Sequence, residues 1–121
     1  MTTINVQGIY AAAIVADFDA GLEWYAKFMG RRADDRPLPV LAQWRKMGTA
    51  GLQLWKDDDR AGKGIMTIVV PDLSVEKQRL ASEGIAPYTE AAGDFGRVAN
   101  FLDPEGNRIV LAEPPKGYTD R

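Results

Sequence analysis

Two strand-to-helix junctions of similar sequence divide this chain into halves. Residues 13–18 read AIVADF, and residues 68–73 read IVVPDL about 55 positions later. In both, an apolar run ends at an aspartate, a residue type that caps helix N-termini. A glycine then stops each helix, at Gly30 and at Gly84. The halves must pack together, because a unit this small cannot bury its apolar face alone.

The first half predicts a strand, a helix and three more strands. Its apolar run at 9–16 reads as a buried strand, and Asp17 or Asp19 caps the helix that follows. The proline pair at 37 and 39 interrupts regular structure. The remaining elements are a helix over about 20–29, an edge strand over 31–35, and strands over 40–47 and 52–55.

The second half repeats this order after a polar, glycine-bearing linker at 56–64. A strand over 65–70 precedes a helix that begins at Asp72 or Ser74 and runs to about 82. A strand over 85–90, a loop over 91–94 and a final hairpin complete the unit. The fold class is therefore α+β, with βαβββ units at about 8–56 and 64–113 in one domain spanning 1–121.

The final hairpin has the most specific local sequence in the chain. Residues 103–106, Asp-Pro-Glu-Gly, form a type I turn: Asp accepts from the backbone, Pro fixes φ and Gly takes the left-handed conformation. Apolar runs at 98–102 and 109–112 flank it, so the turn joins two antiparallel strands.

The string DPEGNRIVLAEP at 103–114 resembles the last hairpin of the vicinal oxygen chelate superfamily, the glyoxalase, bleomycin-resistance and extradiol dioxygenase proteins. The junction at 15–17 and the helix end at 24–30 look like that superfamily as well. The resemblance implies that the two units form a curled mixed sheet with an open groove for a ligand. It also implies a homodimer, with pockets at interfaces between units.

The composition limits the chemistry of such a groove. The chain has no Cys and no His, which excludes disulfides, thiolate nucleophiles and the commonest metal ligand and general base. A net charge of -2 with interspersed signs gives no footprint for nucleic acid. No apolar run approaches the length of a membrane span, and residues 1–8 lack the features of a signal peptide, so a cytoplasmic location is expected.

The resemblance also places four metal-ligand positions. Counted from the junction aspartates and the last strands, they fall at Tyr10, Gln53, Ile65 and Val110. Ile and Val offer a divalent ion no ligand, and the remaining phenol and amide supply no compensating charge. We therefore expect neither a metal nor another cofactor.

Aromatic and polar strand residues remain as candidates for ligand contact. Trp44 and Trp55 lie on neighbouring predicted strands and could flank a flat ligand, while Tyr88 and Phe95 lie near a loop beside the groove. The candidate ligand-binding residues are Tyr10, Trp44, Gln53, Trp55, Ile65, Tyr88, Phe95, Asn100 and Val110.

Three functions fit these observations. The first is metal-free binding of an aromatic or amphipathic small molecule in a homodimer groove, as in antibiotic sequestration. The second is a glyoxalase- or dioxygenase-like enzyme, with a displaced metal site or acid–base chemistry by Tyr10, Glu90 or Asp94. The third is a dimeric interaction module whose groove is filled by its own side chains. Arg45 or Arg97 could anchor an anionic ligand or substrate.

Overall fold

The computed structural model describes residues 3–117 and contains two βαβββ units, as the sequence predicts. The first unit ends before a polar turn segment at 57–64. Its elements are β1 (Ile9–Val15), α1 (Phe18–Met29), β2 (Asp35–Leu38), β3 (Leu41–Met47) and β4 (Ala50–Lys56). Those of the second unit are β5 (Ile65–Val69), α2 (Leu73–Ser82), β6 (Thr89–Gly93), β7 (Gly96–Leu102) and β8 (Arg108–Glu113).

Each unit forms one four-stranded mixed sheet with the same topology. The strand orders are β1-β4-β3-β2 and β5-β8-β7-β6, and the first strand of each unit pairs in parallel with the last. The other neighbours are antiparallel. This shared topology confirms the repeat. It also leaves β1 and β5 at an edge of their own sheets.

Both helices begin at the predicted aspartates. Asp17 Oδ1 accepts from Ala20 N at 3.1 Å, and Asp72 Oδ1 accepts from Val75 N at 3.2 Å, so each carboxylate satisfies a free N–H of the first helical turn. Gly30 follows α1 with φ of 82°, the left-handed conformation that ends a helix. Within residues 3–117, neither helix is long and apolar enough to cross a membrane.

Two local predictions are wrong. The strand expected at 85–90 lies at Thr89–Gly93, so residues 85–88 are irregular and residues 91–93 of the expected loop are strand. The Ile85 side chain is buried just after α2, and its backbone N donates to Leu80 O at 2.9 Å. The edge strand expected at 31–35 lies at Asp35–Leu38, so Pro37 falls inside β2 instead of following it. Because β2 is the outer strand of its sheet, the missing N–H is tolerated there.

One apolar core joins the two units on the helix-facing sides of both sheets. Phe28 of α1 meets Phe101 of β7 edge to face, with ring centroids 5.4 Å apart. Arg79 of α2 also crosses between the units, because its guanidinium donates to the backbone oxygens of Lys27 and Phe28. These carbonyls lie in the last turn of α1, where a cation is electrostatically favourable.

The final hairpin connects the units through a buried polar network. Asp103 accepts from the Tyr25 hydroxyl and from Asn107 Nδ2, both at 2.7 Å, and from the backbone N of Glu105 and Asn107 at 2.9 Å. Asn107 Nδ2 also donates to Ile14 O at 2.8 Å. A turn that looked purely local in the sequence thus binds β1 and α1.

Glu105 of the same turn contacts the β1–α1 junction. Its two carboxylate oxygens accept from Ala16 N and Asp17 N, each at 2.8 Å. The carboxylate therefore lies just before the N-terminus of α1, where negative charge is favourable. Together with Asp103 and Asn107, it fixes the orientation of the second unit on the first.

Tyr25 gives the network a pH dependence that can be measured. Burial raises the pKa of its phenol far above the ordinary value, and the charge of Asp103 and their hydrogen bond raise it further. Above about pH 10 the unfolded chain loses this proton while the folded chain keeps it. The free energy of unfolding should then fall by about 1.4 kcal/mol per pH unit from this residue.

Chemical denaturation of the native protein and of Tyr25→Phe across this pH range isolates the effect of Tyr25, because the two proteins differ at this residue alone. We expect Tyr25→Phe to be less stable below about pH 10, and the difference between the two proteins to shrink above it. A difference independent of pH would contradict a buried, neutral phenol.

Candidate functional site

Each sheet has one face packed on the core and one face open. In the first unit, Ala13 and Leu54 are paired across β1 and β4, and both are buried on the helix side. The intervening pair, Ala12 and Gln53, therefore points to the opposite face. In the second unit, the same alternation places Thr67 and Val110 on the open face.

Most of the predicted contact residues lie on these two open faces. Tyr10 is the second residue of β1 and Ile65 is the first residue of β5. The two residues are 40% and 63% exposed, respectively. Gln53 and Trp55 are half-buried on β4, and Val110 is buried at the centre of the second sheet. The open-face members are Tyr10, Gln53, Trp55, Ile65, Asn100 and Val110.

Trp44 is a correction to the predicted groove wall. Its partner across the sheet is Leu52, which lies on the helix side, so Trp44 and Trp55 project from opposite faces. The ring is 0% exposed, and its indole N–H donates to Arg31 O at 2.8 Å. Trp44 is a core residue and cannot flank a ligand together with Trp55.

Tyr88 and Phe95 lie at the far strand of the second sheet. Tyr88 precedes β6 and is half exposed, and Phe95 lies in the turn between β6 and β7. Because β6 is separated from β5 by two strands, these rings lie across the sheet from Ile65. Their contact with a ligand remains a prediction.

A chain of side-chain hydrogen bonds crosses the open face of the first sheet. Trp55 Nε1 donates to Gln53 Oε1 at 3.0 Å, and Gln53 Nε2 donates to Gln43 Oε1 at 2.9 Å. Gln43 Nε2 then donates to Asp35 Oδ1 at 3.1 Å. We call these four residues the amide ladder. Sequence reasoning found Trp55 and Gln53 but not Gln43 and Asp35, which become neighbours only through the β2–β3–β4 register.

The second sheet carries a shortened version of the ladder. Asn100 pairs with Val110 as Gln43 pairs with Gln53, and Asn100 Nδ2 donates to Thr89 Oγ1 at 2.9 Å. Val110 has no donor, and Asn100 Oδ1 is buried without a hydrogen bond from any residue in 3–117. The two open faces therefore differ in polarity although their backbones match.

Known proteins share this architecture over nearly the whole chain. A glyoxalase/bleomycin resistance protein from Catenulispora acidiphila has a TM-score of 0.84 and 26% identity, and the match covers 91% of this chain and 100% of that one. The chain belongs to the vicinal oxygen chelate superfamily. No protein-family model and no curated relative matches its sequence.

Two other solved structures with this fold have names that describe different activities. An antibiotic binding protein from a Streptomyces species has a TM-score of 0.75 and 25% identity, covering 94% of this chain and 98% of that one. A lactoylglutathione lyase from Agrobacterium tumefaciens has a TM-score of 0.71 and 18% identity, covering 91% and 96%. The latter likeness concerns the fold alone.

The superfamily's metal does not fit the residues at its four positions. Ile65 and Val110 present hydrocarbon, and the Gln53 amide is already hydrogen-bonded to Trp55 and Gln43. A divalent ion there would lose its hydration without gaining charged ligands. Elsewhere in residues 3–117, no three carboxylates come together as a metal site. The chemistry of the metal-dependent members therefore does not apply to these four positions.

The groups considered for proton transfer do not converge. Glu90 is paired with Ala99 of the helix-facing side, and its carboxylate forms an ion pair with Lys77 of α2. Asp94 lies in the exposed β6–β7 turn. Tyr10 is therefore the only one of these three residues on an open face.

The arginines considered as anion anchors already have acidic partners. Arg45 Nε lies 3.1 Å from Asp35, at the end of the amide ladder, and Arg97 lies 3.6 Å from Glu113. The backbone N–H of Arg45 also donates to Asp34, and this bond, followed by that from Arg31, lowers the pKa of the Asp34 carboxyl. An anionic ligand would therefore compete with these carboxylates for the guanidinium donors.

Proposed function

We propose that this protein binds an aromatic or amphipathic small molecule on the open face of its sheets, without a metal and without changing it chemically. The observation that carries this proposal is that apolar residues replace charged ligands at two of the superfamily's four metal positions. Where the reaction chemistry of metal-dependent members needs charged ligands, this chain has Ile65 and Val110, and beside them a face of rings and amides. Such a face suits contact with a planar molecule.

Trp55 is the central contact in this proposal. Its indole is held by the hydrogen bond to Gln53, so a ligand meets a ring of fixed orientation and little rotamer entropy is lost on binding. Its strand neighbours Ile14 and Leu41 surround it with apolar side chains. The similarity to an antibiotic binding protein supports sequestration as the role of this face.

We propose further that two copies of the chain form a homodimer that encloses the ligand. Strands β1 and β5 are edge strands of their own sheets, and Ile9, Ile65 and Val69 on them are exposed. Edge strands with exposed β-branched residues favour association. A cleft of about 600 Å³ between the β3–β4 turn and β5 adds apolar surface at the same edge.

A binding experiment on the full chain tests this function. Native mass spectrometry of freshly purified protein should show a dimer without stoichiometric metal, and planar or glycopeptide antibiotics should quench tryptophan fluorescence equally with and without chelator. Trp55→Ala should weaken binding at least about tenfold, because it removes the principal stacking surface. Trp24→Phe is the matched control, since Trp24 stacks on Phe28 in α1.

Two results would count against the proposal. One is a panel of such compounds that neither binds nor co-purifies with the protein. The other is a tightly held metal whose removal abolishes binding or supports turnover, which would favour the enzymatic alternative.

A further inference from the structure

The amide ladder has a fixed direction that defines which hydrogen-bonding groups it offers to a ligand. We infer that Gln53 and Gln43 select a ligand with a cyclic imide-like edge, in which two carbonyl oxygens flank an N–H. This inference rests on the proposed binding function and concerns the same open face. It assigns a specificity role to Gln43 and Asp35 in addition to the aromatic contact at Trp55.

The two ends of the ladder determine the orientation of both amides. The Trp55 indole nitrogen can only donate, so the Gln53 atom that it meets is the oxygen. The Gln53 nitrogen therefore faces Gln43, whose oxygen accepts it. The Gln43 nitrogen then faces the Asp35 carboxylate, which can only accept when ionised. A flip of either amide would set donor against donor or acceptor against acceptor.

The ladder leaves a definite set of groups for a ligand. Each amide nitrogen carries two hydrogens and uses one within the ladder, so each keeps one donor. Gln43 Oε1, between the two nitrogens, accepts from Gln53 and keeps its second lone pair. Gln53 Oε1 likewise accepts from Trp55 and keeps a second lone pair, so the groups from Gln53 to Gln43 are acceptor, donor, acceptor and donor. A ligand edge with acceptor, donor, acceptor is complementary to the last three of these groups.

The spacing and the surroundings also fit such an edge. Gln43 and Gln53 are directly opposite in an antiparallel pair, which places their side chains about 5 Å apart. On the other side of Gln53 the paired residue is Ala12, whose methyl group leaves space for a ring. Gly51, two residues before Gln53 on β4, has no side chain, and the Tyr10 ring lies over that position. A flat ligand can therefore reach the amides between Tyr10 and Trp55.

The second sheet lacks this set of groups. Val110 stands where Gln53 stands in the first unit, so Asn100 has no amide beside it to supply the other donor. The selection of an imide-like edge consequently belongs to the first unit alone.

Three probes with nearly the same ring area test the inference. They are a sulfonated naphthalimide, its N-methyl derivative, and a sulfonated acenaphthene that lacks both carbonyl groups. The native protein should bind the naphthalimide about 10- to 100-fold tighter than the acenaphthene, with the N-methyl derivative between them, because three hydrogen bonds are lost in steps. Isothermal titration calorimetry on the full chain gives these ratios.

Variants assign the preference to the ladder. Gln53→Leu removes one of the three groups and should lower the naphthalimide-to-acenaphthene ratio about 2- to 10-fold. The ratio cancels any loss of stacking on the freed Trp55 indole, because both probes contact that ring. Asp35→Ala should lower the ratio, because the Gln43 amide loses the acceptor that orients it. Gln78→Leu removes an exposed glutamine of α2 and should leave the ratio unchanged.

The outcomes separate this inference from the proposed function. Equal binding of all three probes by the native protein, or an unchanged ratio in Gln53→Leu, would overturn the inference and leave the binding of planar molecules standing. Binding of none of the probes would count against both.

Discussion

Replacing Asp103 by alanine should destabilise the protein by about 3–5 kcal/mol, which we expect to be among the largest effects of any single substitution here. The carboxylate is 4% exposed and accepts four hydrogen bonds, two from side chains and two from the hairpin backbone. Its loss leaves the Tyr25 hydroxyl and one hydrogen of Asn107 Nδ2 buried without that acceptor. Buried donors without partners carry the full cost of desolvation.

Guanidinium denaturation followed by tryptophan fluorescence measures this effect. Asp103→Asn keeps the shape and one acceptor oxygen, so it should lose less, about 1–3 kcal/mol, and it remains measurable if the alanine variant fails to fold. Asp58→Ala is the control, because Asp58 is an exposed linker residue whose ion pair with Lys56 contributes at most about 1 kcal/mol. Equal stability of Asp103→Ala and Asp58→Ala would refute the role of the network.

The order of elements could be predicted from the sequence because local signals encode it. Asp17, Asp72 and Gly30 mark helix ends by capping chemistry that depends on a few neighbouring residues. The bounds of β6 were predicted wrongly because no local signal encodes them. Its sequence, TEAAG, has weak strand propensity, and it becomes a strand by pairing with Gly96–Leu102.

Which residues lie on the open face depends on the register between neighbouring strands, and the sequence alone does not show that register. Alternation along β4 correctly separates Gln53 from Leu52 and Leu54. The facing of Trp44 depends instead on how β3 aligns with β4. That alignment includes an irregularity after Trp44, where Lys46 has φ of 55°. The same register creates the amide ladder, so the error at Trp44 and the omission of Gln43 have one origin.

The second large effect is expected at a glycine of the linker between the units. Gly62 has φ of 76°, and a β-carbon there would lie 2.2 Å from the backbone oxygen of Glu105. Its N donates to Ile14 O at 3.0 Å, so the linker is held between β1 and the final hairpin. Gly62→Ala should destabilise the protein by about 2–4 kcal/mol, since backbone on both sides must move.

Gly48→Ala separates the two contributions to this effect. Gly48 also has a positive φ, 65°, but a β-carbon there would meet nothing within 4 Å. Its substitution should therefore cost only the left-handed conformation, about 1 kcal/mol. Denaturation curves of the two variants give the cost of the contact with Glu105 as their difference. If both variants lose the same stability, close packing of the linker against the hairpin does not hold the units together, and the buried network around Asp103 must carry that role alone.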